Sequence, residues 1–114
     1  AAHRAMGGHG CISVTANLVP ALCARLHQAW DIGDLGELAR LRDQLAPLHQ
    51  ALFLESNPIA VKAALSLAGL CDAGLRLPLT RASQGTMERL QALVPAAMAA
   101  EEDAIGKPRF SLVY

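Results

Sequence analysis

Aromatic side chains are scarce in this sequence, 4% of 114 residues, whereas hydrophobic residues as a whole make up 53%. A core must therefore be built from Leu, Ala and Val, which is the composition of packed helices, and the apolar share is too high for disorder. Net charge is lacking too. Ten basic and ten acidic residues cancel to +0, so no basic excess draws in nucleic acid or anionic lipid. No apolar run approaches the roughly 18 residues of a membrane span, because the uncharged stretch 10–24 is broken by Ser, Thr, Asn and Pro. The sequence thus predicts no nucleic-acid partner and no membrane partner. Cys11, Cys23 and Cys71 are odd in number and far apart. That leaves neither a disulfide framework nor a C-x-x-C metal site, and points to reduced thiols in a cytoplasmic protein. An initiator Met and an apolar signal core are missing as well. A chain opening Ala-Ala-His-Arg inside a helix is expected to be cut from something larger.

What is present has room for one domain. Residues 1–6 read as the end of a helix stopped by Gly7-Gly8 and Gly10. Cys11-Ile12-Ser13-Val14-Thr15-Ala16 is short, small and β-branched, with the length of one buried strand. Asn17 offers an N-cap for the helix behind it, Pro20 suits that helix's first turn, and Val19, Leu22, Leu26 and Ala29 share one face. Asp31-Ile32-Gly33 ends it. Asp34 and Glu37 then form a D-x-x-E start signal. Leu38, Leu41, Leu45, Leu48 and Leu52 follow at alternating steps of three and four, a seam made to face a partner, with Pro47 expected to kink the helix. Asn57-Pro58 reads as cap and first residue of the next helix, apolar nearly all round and closed by Gly69. Residues 71–82 form a connector. Ser83 caps a last helix with Met87, Leu90, Val94 and Ala97 on one face, whose Glu101-Glu102-Asp103 end is expected to be solvated. Gly106-Lys107-Pro108 closes it before an extended tail.

A helix end, one strand and about four helices make an unusual inventory. A lone strand leaves its backbone N–H and C=O groups unpaired, at a cost of about 1–3 kcal/mol for each group that is buried. Its partners must come from chain not present, from another copy, or from the Phe110–Tyr114 tail. A strand between two helices is the repeating unit of an α/β protein.

Three segments carry a resemblance. Gly7-Gly8-His9-Gly10-Cys11-Ile12-Ser13-Val14-Thr15-Ala16-Asn17 resembles the last barrel strand of the dihydrodipicolinate synthase family. Pro47-Leu48-His49, with Leu52-Phe53-Leu54-Glu55-Ser56-Asn57-Pro58-Ile59-Ala60-Val61-Lys62, is similar to that family's C-terminal helical segment. Leu75-Arg76-Leu77-Pro78-Leu79-Thr80 is similar to its last connector. Ser56, Ala60 and Arg81 depart from the family, which favours proline there. The resemblance covers residues 1–100, and 101–114 match nothing in it.

The resemblance implies a C-terminal fragment of a (β/α)₈ TIM barrel, itself mainly α-helical with one strand. On that basis residues 1–32 hold the end of the seventh helix with the last strand and helix of the barrel, residues 33–105 a helical appendage, and 106–114 a tail. The parent it implies condenses pyruvate with L-aspartate 4-semialdehyde in lysine biosynthesis, through a Schiff base on a sixth-strand lysine, aided by a tyrosine–threonine–tyrosine relay and an arginine. Those groups belong to upstream segments. No catalytic residue, metal ligand or cofactor-binding residue is therefore assigned to this chain, which is expected to be inactive alone and to form homo-oligomers. The alternatives are a non-catalytic helical oligomerisation module and another pyruvate aldolase such as N-acetylneuraminate lyase.

The residues themselves permit little chemistry. Lys62 and Lys107 are the only lysines; Lys62 sits in an apolar helix, which tempts an imine reading, but the resemblance gives it a structural place. Ser13, Thr15 and Asn17 fall at the strand end where barrels hold substrate, and are the active-site-proximal candidates; the structural alternative, which the residues favour, is barrel filling for Ser13 and Thr15 and a helix cap for Asn17. His3, His9, His27 and His49 lack metal-ligand spacing. Gly7, Gly8 and Gly10 precede the strand, whereas a dinucleotide loop follows one.

Overall fold

A computed structural model describes residues 1–106. These form helices α1 (Ala2–Ala5), α2 (Pro20–Asp31), α3 (Leu35–Leu52), α4 (Ile59–Leu67) and α5 (Gln84–Gly106), with a 3₁₀ turn at Thr15–Asn17. Helices α2 to α5 pack into one core, α2 lying against α3 and α5, and α4 against α5; α1 buries no residue.

The periodic signals land where local physics puts them. Asp34 caps α3 by accepting the Glu37 N–H at 3.0 Å, and the leucine seam from Leu38 to Leu52 is buried throughout. Helix α3 continues through Pro47, which stands on its exposed side. Helix α4 buries Ile59, Ala60, Val61, Ala63 and Ala64. Gly69, at φ +75°, takes the left-handed conformation that ends this helix. Ser83 caps α5 by accepting the Thr86 N–H at 3.3 Å. One local expectation shifts by a residue: Pro58 occupies the N-cap position of α4 and Asn57 lies outside it, with no side-chain cap bond.

The strand expected at Cys11–Ala16 is not formed. Among the described residues there is no strand; 11–13 are irregular and the Asn17 N–H donates to the Val14 carbonyl at 3.1 Å, closing the 3₁₀ turn. A strand exists only through its ladder, and the surrounding helices offer no free backbone edge to pair with. The proposed tail partner, Phe110–Tyr114, and the rest of the tail after Gly106 lie outside the described residues.

Asn17 does not cap α2 either. Its Nδ2 donates to the Val14 carbonyl at 3.0 Å, and Val19 holds the N-cap position without a side-chain bond. The cap comes from the far end of the chain. The Ala21 and Leu22 N–H groups donate to the two carboxylate oxygens of Glu101 at 2.7 and 2.9 Å. The solvated end expected at 101–103 is corrected accordingly: Glu101 is 3% exposed, and only Glu102 and Asp103 face water. A buried carboxylate is tolerated because two helix-terminal donors and the positive end of the α2 dipole meet it.

Candidate functional site

The segment before α2 helps to line an open pocket of about 270 Å³, lined among others by Arg4, Cys11, Ser13, Cys23, His27 and His49. The three residues singled out in the sequence part company here. The Ser13 side chain lines the cavity and its Oγ accepts the Ala16 N–H at 3.2 Å. Thr15 is 1% exposed, and its hydroxyl meets His49 Nδ1 at 2.6 Å. Asn17 is exposed and turned back onto Val14. The structure thus joins Thr15 to a histidine that sequence reasoning left isolated. The two lie 34 residues apart, and only the fold brings them together.

Charge in the cavity is arranged against nucleophilic chemistry. Burial pushes the Cys23 thiol up to about 11, partly opposed by the hydrogen bond to Ser13. Burial, and next to it the positive charge of Arg4, hold His27 below the usual imidazole range. Cys11 Sγ lies 3.7 Å from His27 Nε2, but a base weakened in this way deprotonates a thiol poorly. Arg4 is committed to Asp31 and to the His9 carbonyl. Iodoacetamide at mildly alkaline pH is therefore expected to label exposed Cys11 and Cys71 readily. Cys23 should react at least about 10-fold more slowly, because the thiolate is the nucleophile. Peptide mass spectrometry over time checks this, and equal rates at all three thiols would contradict it.

Lys62 has a structural task. Its Nζ donates to the Gly74 carbonyl at 2.6 Å and ties α4 to the connector. Among the described residues no group of three or more His, Cys, Asp or Glu could hold a metal ion. No described helix is long and apolar enough to cross a membrane.

Residues 1–97 match the dihydrodipicolinate synthetase family. The 4-hydroxy-tetrahydrodipicolinate synthase of Rhodospirillum centenum is 54% identical over 88 residues, which cover 77% of this chain and 30% of that protein. The synthase of Parvibaculum lavamentivorans is 46% identical over 105 residues, 92% of this chain and 31% of the relative. Solved structures agree. A dihydrodipicolinate synthase from Thermotoga maritima superposes with a TM-score of 0.80 at 40% identity, covering 83% of this chain and 32% of that one. The chloride inhibited synthase from Acinetobacter baumannii complexed with pyruvate gives a TM-score of 0.75 at 40% identity, covering 82% and 32%. The chain thus spans about a third of the length of these relatives. With the match running from α1 well into α5, the chain belongs to the dihydrodipicolinate synthetase family.

Proposed function

We propose that these residues are the C-terminal part of a lyase that joins pyruvate to L-aspartate 4-semialdehyde through a lysine Schiff base. In this reading residues 1–32 complete a (β/α)₈ barrel and residues 33–105 form its helical appendage. Ser13, Thr15 and Asn17 stand near the active-site mouth, and the parent is a cytoplasmic homo-oligomer of lysine biosynthesis. The similarity to the synthases supports the lineage. The observation that carries the barrel reading is Ile12. It is fully exposed in a run whose β-branched composition calls for burial. A neighbouring barrel strand supplies both the missing cover and the missing ladder.

Alone, the chain lacks the nucleophile. Incubation with pyruvate and borohydride is expected to add no mass to the 12.0 kDa polypeptide. Mixed with the complementary upstream two-thirds of a family synthase, it should restore pyruvyl trapping on the upstream piece and aldol activity. An adduct on Lys62 would overturn the assignment of roles. Failure to complement any family member, with both pieces folded, would favour a helical oligomerisation module instead.

A further inference from the structure

Resting on the synthase reading, we propose that His49 is a positioning residue, holding the end of segment 11–16 at the active-site mouth through Thr15. His49 belongs to α3, in the appendage, while Thr15 opens the 3₁₀ turn that follows the irregular residues 11–13. Their side chains meet at 2.6 Å, short for a hydrogen bond between nitrogen and oxygen. Thr15 is 1% exposed, so its hydroxyl has no recourse to water and depends on a protein partner. The carbonyl of Thr15 is committed as well, accepting the Leu18 and Val19 N–H groups at 3.0 Å each. Two residues upstream, the Ser13 hydroxyl is held by the Ala16 N–H. Fixing Thr15 therefore fixes the turn, and the turn fixes where Ser13 stands in the cavity it shares with His49.

Partial burial of the ring, and next to it the positive N-terminus, hold His49 below the usual imidazole range, which favours the uncharged ring. One nitrogen can then accept while the other keeps its proton, and the Thr15 hydroxyl adapts to either tautomer. Barrel enzymes gather their substrate-binding groups at strand ends. A strut from an appended helix to one such end makes the appendage part of the active-site scaffold. A displacement of the order of 1 Å there is enough to slow catalysis.

The test has two arms. In the 114-residue chain, Thr15→Val removes the hydroxyl with little change of shape. It is expected to shift the His49 Nδ1 resonance in nitrogen-15 spectra while leaving His3 and His9 unchanged. In the synthase polypeptide carrying these residues, Thr15→Val and His49→Ala are each expected to lower kcat/KM for pyruvate by about 3–10-fold, the worth of one part-buried hydrogen bond. The double variant should fall no further than the worse single. His49→Asn, whose amide occupies the place of Nδ1, should recover most of the loss, which repair of packing alone would not do. Multiplying losses, no recovery with asparagine, or an unmoved Nδ1 resonance overturns the positioning role. A parent polypeptide that never traps pyruvate overturns the synthase reading and this role with it. Normal trapping with unchanged kcat/KM in all variants overturns the role alone.

Discussion

Replacing Glu101 by alanine is expected to lower the unfolding free energy by about 2–4 kcal/mol, a large effect for a charged residue. Most acidic side chains near a helix end contribute a few tenths through the dipole and are screened by salt. Glu101 differs because it is 3% exposed and receives two backbone N–H groups of another helix at 2.7 and 2.9 Å. Its removal strands the Leu22 N–H in the core and the Ala21 N–H at its edge. An unmet buried donor costs about 1–3 kcal/mol, and the favourable charge–dipole contact is lost in addition. Glu101→Gln keeps one oxygen acceptor and should lose roughly half as much. Glu102→Ala, one residue along and exposed, is the control, expected within about 0.5 kcal/mol of the unsubstituted chain. Urea unfolding followed by far-UV circular dichroism reads all three. If the alanine and glutamine variants unfold with the control, the contact carries no stability.

That contact also marks the boundary of what the sequence could reveal. Features whose cause lies within one helical turn were legible from the residues. The Asp34 cap, the buried leucines of α3, the Gly69 stop and the Ser83 cap all follow from residues three or four positions apart. Besides the one-residue shift of the α4 cap, two expectations of the same kind failed, and for one reason. Cys11–Ala16 has the composition of a strand and Asn17 that of a cap. Yet a strand needs a ladder from elsewhere in the fold, and the α2 N-terminus found a better acceptor in Glu101, 80 residues from Ala21. Thr15 with His49, and Lys62 with the Gly74 carbonyl, repeat the pattern. Each is a polar group whose composition says only that it needs a partner, while tertiary packing decides which. The candidate site was accordingly half legible: strand-end position singled out Ser13 and Thr15, whereas nothing local distinguished His49 from the three other histidines.

Truncating Leu41 to alanine is expected to cost about 2–5 kcal/mol, the range for emptying a well-packed core site. Leu41 is 0% exposed and sits mid-seam in α3, the helix that contacts α2, α4 and α5. With aromatics at 4% of the chain, the core has few large rings to lean over and refill a void. Aliphatic neighbours held in staggered rotamers collapse only in part, which places the loss toward the upper end. Leu35→Ala, in the first turn of the same helix, supplies the internal contrast. Leu35 is 62% exposed, so the same atoms removed there should change stability by no more than about 0.5 kcal/mol. Both substitutions raise helix propensity slightly and equally, so the difference between them isolates burial. Equal denaturation midpoints for the two variants would mean that the α3 seam is not packed as described. A large difference with an unchanged urea slope would fit one cooperative core shared by α2 to α5 rather than a loose assembly.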